Sequence, residues 1–92
     1  MEEKMEGKVA IRDFILGEIE RRGPLPFAKP EENLSYRFFD CGHVDSFGML
    51  AFVARIEERF GVTLGAEELQ SEQFRTVGGV VDIVLRLLEE KE

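Results

Sequence analysis

Residues 45–61 read DSFGMLAFVARIEERFG. Met49, Val53, Ile56 and Phe60 return every three or four positions, which is the spacing of one face of a helix and not the alternation of a strand. Asp45 and Ser46 stand just before that run, where a short polar side chain can accept the free N–H groups of a first turn. Gly61 follows it, and glycine is the residue best able to take the left-handed backbone that ends a helix. The stretch predicts a helix that begins at Asp45 or Ser46 and stops at Gly61, with one apolar stripe that other helices must cover.

The flanking segments supply such partners. From about Lys4 to Arg22, Ile11, Phe14, Ile15 and Ile19 mark a second helical face, weakened by Gly7 and Gly17 at roughly 1 kcal/mol each relative to alanine. Gly23-Pro24 stops it, and Pro26 and Pro30 are expected to keep the chain out of helix afterwards. The long loop to about Val44 carries Leu34, Tyr36, Phe38 and Phe39, too apolar to be left in water, so it should pack on the core. Beyond Gly61, Val62-Thr63-Leu64 is a short extended link and Ala66–Gln70 a brief helix. Thr76 reads as an N-cap for a last helix to about Glu89, built on Val77, Val81, Val84 and Leu88 with Val80, Ile83 and Leu87 beside them. Its β-branched residues make a strand the competing assignment, and its length and period favour helix. The expected fold is all-α: a small four-helix bundle with three longer helices, one short helix and a long first connection. Residues 1–92 are read as a single domain with its core at about 5–89, since a chain of 92 residues supports one core.

Composition narrows the functions. With 19 acidic and 12 basic residues the formal charge is −7. That argues against nucleic acid and against anionic membranes, and favours a partner with a basic patch. One cysteine, Cys41, permits no internal disulfide, and one histidine, His43, leaves metal chemistry poorly supplied, so no metal site is expected. The amino-terminal MEEKMEGK has no apolar core of a signal peptide, and no apolar run approaches a membrane span. A monomer in a reducing cytoplasm is the expectation.

Residues 42–48, GHVDSFG, gather a histidine, an aspartate and a serine within four positions. Three readings are open. Asp45 can be a plain helix cap, its carboxylate accepting backbone N–H groups at the positive helix end. A Ser–His–Asp relay is a second reading, but residues so close in sequence rarely reach that geometry, and no Gly-x-Ser-x-Gly turn is present. The third needs no catalytic machinery: a serine on an exposed helix start offers its hydroxyl to another protein, and a phosphodiester formed there would sit at the favourable end of the helix dipole.

The run FFDCGHVDSFGMLAFVARIEERFGVTL, residues 38–64, followed by Phe74-Arg75-Thr76-Val77, resembles an acyl carrier protein over about Leu34 to Leu88. The resemblance rests on Gly42, the Asp45-Ser46 pair, the apolar Phe47, the Glu57-Glu58-x-Phe60-Gly61-Val62 helix end and the Phe-x-Thr-Val helix start. It implies that Ser46 carries a 4′-phosphopantetheine arm, added from coenzyme A by a separate magnesium-dependent phosphopantetheinyl transferase, with Asp45 and Phe47 as the flanking motif. It implies further partners: a ligase that loads an acyl or aminoacyl group, and a downstream transferase that takes it, as in fatty acid biosynthesis. The chain itself would catalyse nothing. Two residues, His43 and Val44, separate Gly42 from Asp45-Ser46, and Gly48 follows Phe47. This form is similar to stand-alone specialised carriers, D-alanyl carriers among them. Gly48 and Ala51 stand where fatty-acid carriers tend to have acids, which points to a dedicated partner.

The face of this helix that leaves the core, Phe47, Ala51, Ala54, Glu57 and Glu58, is the candidate recognition surface. The plainer reading makes Glu57 and Glu58 a solvated face pairing with nearby arginines. Met49, Val53, Ile56, Phe60, Val77, Val81 and Val84 are expected in the core, and would line a cavity if the cargo folded inward. Cys41 is expected to face the core and His43 to lie on the surface. Two other functions stand beside the carrier: an unmodified helical interaction module of the same fold, and a small hydrolase.

Overall fold

The computed structural model describes residues 2–91, with side chains from residue 7 onward. The first apolar face folds as α1 (Glu2–Glu20), burying Ile11, Ile15 and Ile19 as expected, and Leu16 as well. The helix closes two residues before the expected Arg22. Arg22 N–H donates to Ile19 O and Gly23 N–H to Glu20 O, tightening the exit, and Gly23 takes φ 149°, open to glycine.

The long connection is pinned down. Pro30, expected to keep the chain out of helix, instead opens a 3-10 turn, Pro30–Asn33, because proline at a first helical position loses no needed N–H. Asn33 is buried and closes the loop: its amide accepts from Phe27 N–H and donates to Phe27 O and Lys29 O. Phe38 is fully buried, with Leu34, Tyr36 and Phe39 half-buried against the core, as the apolar content of the loop required.

The helix that decides the fold is α2 (Ser46–Phe60), capped by Asp45 and ended by Gly61 at φ 66°. Its buried stripe is rotated from the one expected. Gly48, Phe52 and Ile56 are buried, while Met49, Val53 and Phe60 lie half-buried on its flank. The cause is tertiary: Phe52 sits between Phe38, at 5.3 Å between ring centroids, and Phe74, at 6.4 Å. Phe60 meets Phe14 edge-on at 5.4 Å. An ion pair ties α2 to α1, Arg55 Nε lying 2.7 Å from the buried carboxylate of Glu18.

The short helix α3 spans Ala66–Gln70, as expected, with Glu68 reaching back to accept from Gly65 N–H at 2.7 Å. An unanticipated 3-10 turn, Glu72–Arg75, then inserts Phe74 into the core. The last segment is helix and not strand, α4 (Val77–Lys91), with Thr76 Oγ1 accepting from Gly79 N–H. Two of its free first-turn N–H groups go to the long loop: Val77 donates to Tyr36 O and Gly78 to Leu34 O. Gly78 and Gly79 make this approach possible, since a Cβ on Gly79 would fall 1.7 Å from Gln73 O and one on Gly78 3.1 Å from Leu34 O. Among the helices, α1 and α4 approach most closely, and α2 joins the core through Phe52, packed on Phe38 and Phe74. The described residues form an all-helical bundle of three long helices and one short helix, with no strand among them.

Candidate functional site

The first turn of α2 presents the residues the sequence singles out. Val44 is completely buried and anchors the chain just before the turn. Asp45 leaves it in extended backbone (φ −84°, ψ −175°), and its carboxylate accepts a 2.7 Å hydrogen bond from Gly48 N–H. Ser46, the first helical residue, is exposed, and its hydroxyl bonds to no other group among the described residues. Of the two candidate caps, Asp45 does the capping, and Ser46 is left open to solvent.

The three polar residues do not assemble a catalytic relay. His43 is half-buried, not on the surface as expected, and both ring nitrogens are taken: Nδ1 lies 2.5 Å from Tyr36 Oη, and Nε2 3.1 Å from Gly23 O. Asp45 faces the Gly48 amide. Neither a base nor an orienting acid is turned to Ser46. Cys41, expected toward the core, is exposed at the edge of the loop, its thiol donating to Tyr36 Oη at 3.2 Å. Burial first, then the neighbouring Cys41, pushes the Tyr36 phenol up to about 12.

Beside Ser46 lies apolar surface. Phe47 is 85% exposed and Leu50 72% exposed, at positions that share the outer side of α2 with Ala51 and Ala54. Leu50 was legible one helical turn after Ser46 but is absent from the surface expected above. No charged residue stands between Ser46 and Ala54. Of the expected recognition acids, Glu58 is exposed and makes no ion pair among the described residues. Glu57 is half-buried, and its carboxylate accepts from Leu64 N–H at 2.8 Å, holding the link that follows the helix. Neither acid pairs with an arginine: Arg55 turns to Glu18, and Arg59 stacks over Phe14 and Phe60.

An apolar groove of about 190 Å³ opens next to this surface, lined by Phe39, Met49, Leu50, Val53, Leu69, Phe74 and Arg75. Of the residues expected to line an inward cavity, Met49 and Val53 do so. Ile56, Val77, Val81 and Val84 are sealed in the core, and Phe60 packs on Phe14.

These features suit a phosphopantetheine arm: an unbonded, exposed hydroxyl at the positive end of a capped helix, with uncharged surface and a groove alongside. No group of His, Cys, Asp and Glu among the described residues could hold a metal ion, and no described helix is long and apolar enough to cross a membrane. Residues 15–84 match the family described as "Phosphopantetheine attachment site". The chain is 32% identical over 57 residues to a D-alanyl carrier protein of Bacillus velezensis, an overlap of 62% of this chain and 73% of that protein. No solved structure matches it. The chain belongs to the phosphopantetheine-binding carrier proteins and carries covalently attached 4′-phosphopantetheine.

Proposed function

We propose that Ser46 is the attachment residue, and that this carrier holds an aminoacyl or short acyl group for a dedicated set of enzymes in the cytoplasm. The observation that carries the reading is the exposed, unbonded Ser46 hydroxyl at the first position of α2, inside the matched segment. In the modification, Ser46 Oγ attacks the phosphorus of coenzyme A that bears the pantetheine. A P–O bond forms, the bond to the 3′,5′-ADP leaving group breaks, and the hydroxyl proton passes to a base of the transferase. Magnesium in this step belongs to the transferase. Asp45 holds the helix start in place, and the first-turn N–H groups favour the resulting phosphodiester.

Once attached, the arm supplies a terminal thiol on which the cargo is held as a thioester. The rest of the work is presentation: tethering keeps the cargo at high effective concentration for each docked enzyme. Phe47, Ala51, Ala54 and Glu58, with Leu50, form the docking face. Glu57 borders that face while it holds Leu64. A loading ligase and a downstream transferase are the partners.

The cargo is small. The groove, at about 190 Å³, is of the scale at which an apolar cavity accepts a group the size of benzene, well short of a long fatty chain. The similarity to a D-alanyl carrier protein supports an amino acid as cargo. A role in fatty acid biosynthesis has less support, since the first half of α2 lacks acids.

The test is intact mass after incubation with coenzyme A and a broad-specificity phosphopantetheinyl transferase. The wild-type chain gains one phosphopantetheine, and Ser46→Ala gains none. Addition to Ser46→Ala equal to the wild type would refute Ser46 as the site. Protein from its native host bearing no arm would favour the unmodified interaction module.

A further inference from the structure

Two adjacent residues at the exit of α1 hold the attachment turn from both sides. Gly23 O accepts from His43 Nε2 at 3.1 Å, three residues before Ser46. Arg22 Nη2 donates to Gly48 O at 3.3 Å, two residues after it. We infer that this clasp makes Arg22 and His43 positioning residues for the modification of Ser46, an inference that rests on Ser46 being the attachment point.

Beyond the Asp45 cap and the buried Val44 before it, the first turn of α2 has little else to hold it. Gly48 at its third position costs roughly 1 kcal/mol relative to alanine. No acidic side chain follows Asp45 within the turn, and Ser46, Phe47 and Leu50 face solvent. Helix ends in such surroundings fray, and a frayed turn would scatter the Ser46 hydroxyl over many orientations. Both clasp bonds join residues far apart in sequence, so they tie the turn to α1.

A chain of side chains backs the clasp: the Cys41 thiol donates to Tyr36 Oη, Tyr36 Oη and His43 Nδ1 share a hydrogen bond, and His43 Nε2–H donates to Gly23 O, since a carbonyl can only accept. Absence of a side chain completes the fit on each side. A Cβ on Gly48 would come within 3.1 Å of the Arg22 guanidinium and 3.2 Å of Asp45 Oδ1, and one on Gly23 would meet His43 Nε2 at 3.4 Å.

A nucleophile held in place lowers the cost of reaching the reactive geometry, and the loss appears in kcat and not in docking. The experiment measures transferase kinetics with coenzyme A on the full chain, alongside amide hydrogen exchange at Gly48 and Met49, whose N–H groups are bonded to Asp45. Arg22→Ala and His43→Ala are expected to lower kcat roughly tenfold while leaving KM for the carrier within about twofold. Their Gly48 and Met49 amides exchange faster, and those of α4 do not. Arg22→Lys and His43→Gln, which retain a donor to each carbonyl, recover most of the rate. Unchanged kcat in both alanine variants overturns the inference, as does a lowered melting temperature with neither kinetics nor local exchange altered below it. If the wild type takes no arm while the amides still loosen in the alanine variants, the reading of Ser46 fails and the clasp stands as the hold on the helix start.

Discussion

Asp45 Oδ1 accepts a 2.7 Å hydrogen bond from the backbone N–H of Gly48, and that bond encloses two exposed residues, Ser46 and Phe47. The cap and the modifiable hydroxyl are successive residues with separate tasks. Asp45→Ala is expected to cost about 1 kcal/mol, the usual worth of an N-cap, or roughly 4–8 °C in Tm for a domain of this size. Asp45→Asn keeps an accepting oxygen and should stay near the wild type. Thermal unfolding followed by circular dichroism separates the two, and equal melting of all three proteins would show the cap to be idle.

Phe47 and Leu50 hold no part of the core, so replacing them tests docking without touching the fold. Phe47→Ser and Leu50→Ser should leave Tm within about 4 °C, since exposed positions away from special contacts change stability by less than about 0.5 kcal/mol. With a loading enzyme in hand, each should raise KM for the carrier by roughly tenfold, the size of an apolar anchor at an interface. Normal loading kinetics in both variants would remove this face from the docking surface.

Two glycines in helices should respond oppositely to alanine. Gly17 is exposed inside α1 with nothing within 4 Å of a new Cβ, so Gly17→Ala should stabilise by about 0.5–1 kcal/mol. Gly79→Ala would drive its methyl against Gln73 O, a backbone atom that cannot swing aside, and should cost about 3 kcal/mol or more, in the range of severe overpacking. Urea midpoints measure both. A Gly79→Ala protein as stable as the wild type would contradict the close crossing of the Gln73 backbone over α4.

Tyr36 is the chain's one tyrosine, so its ionisation can be followed by ultraviolet absorbance. Its phenol is raised from 10.0 to about 12, by burial and then by Cys41. The unfolded chain therefore loses this proton near pH 10 while the folded chain keeps it. This group's contribution to stability is complete below pH 10 and is lost as pH rises toward 12. Cys41→Ala should move the absorbance midpoint down toward the ordinary value. A wild-type midpoint at 10 would contradict the burial and bonding described.

The acid side has the opposite sign. Asp40 is held below the ordinary carboxylate value of 3.8, first by its hydrogen bond from Arg37 and further by Arg75. The folded chain keeps Asp40 ionised where the unfolded chain protonates it. The stabilisation is present above the ordinary value and disappears as pH falls through the folded one. Carboxyl carbon shifts measured by NMR should place Asp40 below the ordinary carboxylate value, and Arg37→Gln should raise it. An Asp40 that titrates normally in the wild type would show the two arginines to be elsewhere in solution.

What the sequence by itself determined lies along α2 and the segments that read like it. The cap at Asp45, the stop at Gly61, the short α3 and the N-cap at Thr76 depend on neighbours within a turn, and periodicity set helix over strand for α4. The exposure of Ser46 follows from the same local pattern. The tertiary structure decided which side of α2 is buried, because Phe52 is chosen by Phe38 and Phe74, residues 14 positions before it and 22 after. It decided the clasp on the attachment turn, the placing of Cys41 and His43, and the need for Gly78 and Gly79, since each involves groups brought together only when the long loop closes against α1 and α4. Hydrogen bonds and packing act on whatever atoms lie within a few ångströms, and a linear pattern reveals those atoms only where the chain is its own neighbour.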